Sequence, residues 1–217
     1  ARAHAHRAWV TIWRAFQGWE PMDTAIASAG FNVTEAVRFD ADEPWAHVAR
    51  TILCCASKKG PEAIAAAQKS IELNSNFAYG YLYLGVAHSN AGDGEAGLAA
   101  IANAVRLSPR DLFRNEFDLF YALAYFQIGD YGKASEYAAE AAALRPGHAF
   151  AYLIEATSSA LDGDQKRAET ALGRLMTLIP GFGMEAAAAQ IPYIRNDDHT
   201  RFMSGLRRAG LAPGDRH

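Results

Sequence analysis

The residues of this chain that could hold a metal ion or a redox centre are few and poorly spaced for that chemistry. His4 and His6 lie two apart on a predicted helix, where their side chains diverge, so they are poor joint ligands. Cys54 and Cys55 are the only cysteines, and a bridge between adjacent helical residues would be strained. We therefore expect two reduced, largely buried thiols, which favours a cytoplasmic location.

Other polar motifs have simpler structural explanations. Asp197-Asp198-His199 could bind a metal, but carboxylates at the start of a helix are ordinary caps. Gly92-Asp93-Gly94 has too little context to hold a phosphate and is expected to be a turn. No nucleophile elbow, Walker loop, zinc-ligand spacing or dinucleotide fingerprint occurs in the sequence. We therefore expect no catalytic residue, no metal site and no cofactor, so the chain is not predicted to be an enzyme.

Composition narrows the class of protein further. Half of the 217 residues are hydrophobic and alanine is abundant, which favours an all-α fold. The 21 basic and 24 acidic residues leave a net charge of −3, and no basic stripe occurs, so this segment is not expected to bind nucleic acid. No apolar run approaches the roughly 18 residues of a membrane span. No signal peptide opens the chain. The first residue is alanine in place of methionine, so we expect an excised portion of a longer protein.

Three Gly-Asp steps mark the elements that would position any binding residues. Each is followed by an Ala-rich stretch that ends in Leu-x-Pro, and they recur at about 34 residues with one slip, which is typical of helix-turn-helix repeats. A three-residue insertion, Leu112-Phe113-Arg114, accounts for the slip. The steps are Gly92-Asp93, Gly129-Asp130 and Gly163-Asp164.

Residues 44–182 resemble the tetratricopeptide repeat (TPR) family. In the unit that begins at residue 78, Gly85, Gly97 and Ala104 are small where the two helices of a TPR nearly touch. The resemblance implies an all-α, right-handed TPR superhelix (an α-solenoid) of about four to five helix pairs with a C-terminal capping helix. The predicted segments are a degenerate helix pair at 1–43, four units at 44–77, 78–111, 115–148 and 149–182, and capping helices with a tail at 183–217.

Two predicted segments depart from the repeat pattern. The unit at 44–77 has Lys58 where the turn glycine is expected, so we predict that Gly60-Pro61 makes the turn instead. The first predicted helix, from Ala3 to Gly18, carries aromatic residues that are too large for a standard first helix, and we interpret it as part of an atypical end unit. Those residues are Trp9, Trp13, Phe16 and, just beyond, Trp19.

The family resemblance also implies a binding surface, because the first helices of successive TPR units line a concave groove. The positions that line it here hold mostly apolar side chains, so the carboxylate clamp of chaperone-binding TPR proteins is not expected. We predict that replacing Tyr79 and Phe126 with alanine abolishes partner binding and leaves the helical content nearly intact. The predicted groove residues are Trp45, Val48, Tyr79, Leu82, Tyr83, Val86, Asn90, Glu116, Phe120, Leu123, Phe126, Gln127, Phe150 and Leu153.

Three kinds of occupant fit such a groove. It could take an apolar peptide or helix from a partner protein, a segment of the same chain or of a second copy, or a small apolar ligand oriented by Tyr79, Tyr83 and Asn90. The wider layout is similar to TPR regions attached to bacterial class III adenylate/guanylate cyclases or winged-helix transcriptional regulators. We therefore predict a protein-interaction scaffold within a bacterial signalling protein. The alternative is a ligand-sensing domain that controls an attached cyclase or DNA-binding domain.

Overall fold

The computed structural model describes residues 1–191 and 193–212, and in that part of the chain every regular element is an α-helix. Consecutive helices pack against each other from the first to the tenth, and helices two apart also touch, so the chain is an α-solenoid. The helices are α1 (Arg2–Phe16), α2 (Met22–Phe39), α3 (Pro44–Ala56), α4 (Gly60–Leu73), α5 (Ala78–Ala91), α6 (Gly94–Leu107), α7 (Arg114–Ile128), α8 (Tyr131–Leu144), α9 (Ala149–Asp162), α10 (Gln165–Leu178), α11 (Met184–Gln190) and α12 (Asn196–Ala209).

The three Gly-Asp steps join the helices of a pair, as their sequence predicts. The glycines have φ angles of 96°, 84° and 93°, a left-handed conformation that costs other residues free energy. Each aspartate then caps the next helix, because its carboxylate accepts a hydrogen bond from a backbone N–H three residues on. The pairs so joined are α5 with α6, α7 with α8 and α9 with α10.

The turn between α3 and α4 differs from the prediction. Gly60 is the first residue of α4, and Lys58 makes the turn with a φ angle of 57°. Pro61 does lie in the first turn of α4, where its missing N–H costs nothing. The prediction that Gly60 supplies the turn is wrong, because the backbone reverses two residues earlier. A lysine therefore holds a conformation that costs about 1 kcal/mol with a side chain.

Replacing Lys58 with glycine is expected to raise the free energy of unfolding by about 0.5 kcal/mol, since relief of the left-handed strain exceeds the greater chain entropy of glycine. The matched control is Lys59→Gly, at a residue whose φ angle is −102°. Because no strain is relieved there, the control is expected to be destabilised. Urea unfolding of both variants and the parent chain tests this, and a Lys58→Gly chain less stable than the parent would contradict it.

The helix α12 caps the C-terminal end of the array, as predicted. It packs against α9 and lies closest at Gly205, where an added Cβ atom would be 2.8 Å from the backbone oxygen of Thr157. The hydroxyl of Thr157 donates to the backbone oxygen of Phe202 at 3.2 Å. Contacts this close require a residue without a side chain at position 205.

Two of the exclusions made from the sequence concern membrane-spanning helices and metal sites. Over 1–191 and 193–212, no helix is both long and apolar enough to cross a lipid bilayer. The same residues contain no group of three or more His, Cys, Asp or Glu side chains that could hold a metal ion. The thiols of Cys54 and Cys55 are both free and buried.

Candidate functional site

The concave face of the solenoid is formed by the first helices α3, α5, α7 and α9, which carry all of the predicted groove residues. Trp45 and Tyr79 are partly exposed, and the other twelve are buried. The expected open groove is therefore closed, because two other segments of the chain cover it. Of the occupants that the sequence allows, the chain's own segments hold the groove in this structure.

The first of these segments is α1, which lies across the concave face. Residues 6, 9, 13 and 16 lie at the 3- and 4-residue spacings that place side chains on one face of a helix. Each contacts a different first helix, and α1 also packs closely against its neighbour α3. The four pairs are His6 with Trp45 on α3, Trp9 with Tyr83 on α5, Trp13 with Glu116 on α7, and Phe16 with Phe150 on α9.

These four contacts combine ring packing with directed hydrogen bonds. The ring centroids of His6 and Trp45 are 4.4 Å apart, and those of the two phenylalanines, Phe16 and Phe150, are 5.4 Å apart. The indole N–H of Trp9 donates to the hydroxyl of Tyr83. Burial raises the pKa of that hydroxyl well above its usual value, so it stays protonated.

A buried polar cluster lies under the C-terminal half of α1. The carboxylate of Glu116 accepts hydrogen bonds from the indole N–H of Trp13 at 3.1 Å and from the amide of Asn115 at 3.2 Å. His148 Nε2 lies 3.4 Å from the same oxygen, and His148 Nδ1 accepts from the Gln17 amide at 3.1 Å. Because each bond has a fixed direction, the cluster sets the position of α1 along the groove.

The second helix, α2, covers α1 from the outside. It packs against both α1 and α3, and His4 Nδ1 lies 3.0 Å from Asn32 Oδ1 on α2. Alanines predominate among the fully buried residues of the two helices, which lets helices approach closely. These residues include Ala5, Ala8, Ile12 and Ala15 on α1 and Ala25, Ala29 and Ala36 on α2.

The second covering segment lies between α11 and α12. The ring of Tyr193 stacks on Phe126 with centroids 5.5 Å apart, and its hydroxyl donates to the backbone oxygen of Leu123 at 3.2 Å. The backbone N–H of Ile194 donates to the backbone oxygen of Asn90 at 3.0 Å. This segment therefore covers the groove beside the C-terminal ends of α5 and α7. Pro192, part of the predicted break after α11, lies outside the described residues.

A buried carboxylate on α12 also holds the residues between α11 and α12 in place. Asp198 accepts a hydrogen bond from the amide of Gln127 at 2.6 Å. It also pairs with Arg201 at 3.1 Å and with Arg195 at 3.6 Å. The groove residue Gln127 is thus bonded to the capping helix. The prediction that an aspartate caps α12 is wrong, because the N-cap residue is Arg195 without a side-chain cap, and Asp198 bonds to Gln127 and the two arginines instead.

A cavity remains between the C-terminal half of α1 and the first helices. It has about 40 Å³ of room for the centres of water molecules, and most of its lining is apolar. Among residues 1–191 and 193–212, the buried Asn90 side chain has no hydrogen-bond partner other than a weak contact with the thiol of Cys55, and Gln17 Oε1 has none. Cys55 lines the same cavity, and burial raises the pKa of its thiol to about 12. The α1–groove contact is therefore incompletely filled and incompletely hydrogen-bonded.

Replacing Asn90 with leucine is expected to raise the free energy of unfolding by about 1 kcal/mol, because it removes two buried polar atoms whose nearest polar neighbour is a weakly hydrogen-bonding thiol. The matched control is Ser89→Ala at the adjacent residue, whose hydroxyl already donates to the backbone oxygen of Gly85 at 2.8 Å. That change is expected to destabilise the chain slightly. Urea unfolding measures both, and a loss of stability in the leucine variant would show that Asn90 is satisfied in solution.

Comparison with known proteins identifies the fold. No protein-family model matches the chain, and no curated protein matches it in sequence. Among solved structures it is similar to PilW, described as a widely conserved type IV pilus biogenesis factor, with 12% identity over 96% of this chain and 90% of that one and a TM-score of 0.65. It is also similar to TTC0263, a TPR protein of Thermus thermophilus, with 17% identity over 85% and 92% and a TM-score of 0.64.

A third solved structure is described as a TPR protein with an unusual peptide-binding site. This protein, YrrB, is 16% identical over 82% of this chain and 90% of that one, with a TM-score of 0.51. Identities this low establish similarity of fold alone. The chain therefore has the TPR fold, an all-α superhelix, which confirms the fold predicted from the sequence.

Proposed function

We propose that this chain is a non-catalytic protein–protein interaction module that binds an amphipathic helix across its concave face. The observation that carries the proposal is α1, a helix seated on that face with one side chain on each of the four first helices. Binding of a helix in a groove through spaced anchors is an established mode of protein recognition. The described peptide-binding site of YrrB adds support from a protein of the same fold.

In this proposal the predicted groove residues bind the partner, some through hydrogen bonds and others through apolar contact. Tyr83 and Glu116 accept hydrogen bonds from the indoles of a bound helix, as they do from α1. Trp45 and Phe150 supply apolar contact at the two ends of the helix. Four repeat units within residues 44–182 form this surface in the proposal. Attachment of the array to a cyclase or a DNA-binding part of a longer signalling protein stays a prediction.

The size of the cavity favours a helix over a small ligand as the natural occupant. Sites for drug-sized molecules are about 300–1,000 Å³. The space beneath α1 is about 40 Å³, which suits a few water molecules at most. The ligand-sensing alternative therefore requires that α1 first leave the groove, and the same is true of helix binding.

A peptide of residues 1–20 provides the probe for this function. It is added, with a fluorescent label, to a full chain in which Trp13 and Phe16 are replaced by alanine, so that its own α1 competes poorly. Binding with a Kd on the order of micromolar is expected, measured by fluorescence anisotropy. A control peptide with alanine at positions 9, 13 and 16 is expected not to bind. Equal binding of the two peptides, or none of either, would contradict the proposed function.

A further inference from the structure

We infer that α1 is a tethered competitor for its own groove, which swings away with α2 when a partner helix of similar pattern takes its place. This inference rests on the proposed function and adds its regulation. It also gives the chemistry of the partner: an amphipathic helix with aromatic side chains spaced as residues 9, 13 and 16, at least one of them an indole.

Two adjacent rows of side chains on α1 are buried to different degrees, and the row that contacts the groove is the less buried one. The four side chains that reach the first helices, at residues 6, 9, 13 and 16, are only partly buried. The adjacent row Ala5, Ala8, Ile12 and Ala15 is at most 2% exposed. Because α1 packs more extensively with α2 than with any other helix, the two can move as one hairpin. Both helices also pack against α3, so release of the aromatic row breaks those contacts as well.

The contact between α1 and the groove is incompletely packed and incompletely hydrogen-bonded. In the described part of the chain Gln17 Oε1 has no hydrogen-bond partner, the Asn90 amide has none beyond the Cys55 thiol, and the cavity separates neighbouring apolar surfaces. Unfilled space and unpaired polar atoms weaken an interface relative to one that is fully packed. A helix with a larger apolar side chain at the cavity, or an amide within reach of Asn90, would therefore bind better than α1.

The link between α2 and α3 can act as the hinge. Residues 40–42 are exposed. Arg2 pairs with Glu43 through two hydrogen bonds of 3.1 and 3.2 Å, a contact between α1 and the tether that release must break. His47 Nε2 lies 2.8 Å from the backbone oxygen of Ala41 and anchors the loop to α3. The hairpin thus has a short tether that stays attached to the array.

A tethered helix competes strongly because of its local concentration. Short tethers give effective concentrations in the millimolar range, so α1 excludes a free helix of equal intrinsic affinity until that helix is present at similar concentration. Weakening α1 by mutation removes this competition without altering any groove residue. Partner affinity should therefore rise when the aromatic row of α1 is truncated.

Alkylation of Cys55 reports access to the cavity beneath α1, which this thiol lines together with Trp13 and Phe16. Reversal of the faster rate by added peptide distinguishes release of α1 from simple enlargement of the cavity. The experiment uses the full chain with Cys54→Ala, so that only one thiol reacts. Reaction with iodoacetamide is expected to be slow in this chain and about ten-fold faster or more when Trp13→Ala and Phe16→Ala are added. Excess 1–20 peptide is expected to slow the reaction again in the second chain. The control Val10→Ala, at an exposed residue of α1, should leave the rate unchanged.

The outcomes separate this inference from the proposed function. If the 1–20 peptide binds the parent chain and the Trp13→Ala, Phe16→Ala chain with the same Kd, helix recognition stands and competition by α1 is overturned. If the peptide binds neither chain while both give the circular dichroism of folded helices, the proposed function falls and the inference with it. Equal alkylation rates in the two folded chains also overturn the release of α1.

Hydrogen exchange on the unaltered chain gives a second measurement that does not depend on the variants. Amides of α1 and α2 are expected to exchange together, and faster than those of α5 to α8, because the hairpin opens while the array stays folded. Addition of 1–20 peptide in large excess is expected to speed exchange in α1 further and to leave α7 protected. Exchange of α1 at the same rate as α5 to α8, with or without peptide, would show that α1 is a permanent part of the core.

Discussion

Replacing Phe126 with alanine is expected to lower the free energy of unfolding by about 4 kcal/mol. This side chain is fully buried and packs on three aromatic rings, with centroid distances of 5.1 Å to Phe202 and 5.5 Å to both Tyr131 and Tyr193. Its removal leaves a cavity where α7 meets the C-terminal segment, and the surrounding helices can close it only in part. Urea unfolding followed by circular dichroism measures the loss.

Tyr79→Ala is the control for this effect at another predicted groove residue. Tyr79 is only partly buried, and its hydroxyl donates to the carboxylate of Asp111 at 3.2 Å. Truncation there is expected to cost about 1–2 kcal/mol, because less apolar surface is lost. Equal losses in the two variants would contradict the assignment of Phe126 to the core.

The sequence-based expectation that Phe126 could be replaced without harm to the fold is therefore revised. The repeat register correctly places this residue on the first helix of its unit, where TPR arrays present side chains to the groove. The register contains no information on what covers that position. Tyr193 and Phe202 come from more than sixty residues along the chain, and only the folded array brings them onto Phe126.

The helices and turns of the array were predictable because their signals are local. Gly92 and Asp93 specify a left-handed turn and a helix cap within two residues, and the same step recurs in the next two units. Lys58 shows the limit of that reasoning. No local preference favours a lysine in a left-handed conformation, so the sequence pointed to Gly60. The neighbouring helices, and not the residue type, impose that turn.

The sequence of α1 contains a feature that indicates its contact with the groove, although the repeat pattern suggests a different explanation. Trp9, Trp13 and Phe16 follow a 4- and 3-residue spacing, which marks one face of a helix and is too bulky for a standard repeat. An end unit and a groove occupant both explain such a stripe, since either must bury it. In the structure α1 pairs with α2 and packs against α3, as an end unit does, and its aromatic stripe also reaches α5, α7 and α9. That reach depends on tertiary contacts, so the interpretation of residues 1–43 as an end unit stays a prediction.

Two segments cover the concave face, α1 and the residues that lead into α12. A mutation on α12 is expected to show how firmly the second segment is held. Valine at Gly205 is expected to lower the free energy of unfolding by about 3 kcal/mol, because its Cβ atom would lie 2.8 Å from the backbone oxygen of Thr157 and α12 must move away from α9. The hydrogen bond from Thr157 to Phe202 and the packing of Tyr193 on Phe126 would then weaken together.

The matched control is Gly173→Val on α10, where an added Cβ atom would meet no atom within 4 Å. That variant is expected to stay within about 0.5 kcal/mol of the parent chain, since valine is a somewhat better helix former than glycine. Urea unfolding measures both, and similar stabilities would mean that the α12–α9 contact is loose. A large loss at Gly205 alone, with unchanged protection of α1 in hydrogen exchange, would mark α12 as a permanent cap. Release would then be confined to α1, whose contact with the first helices contains the cavity.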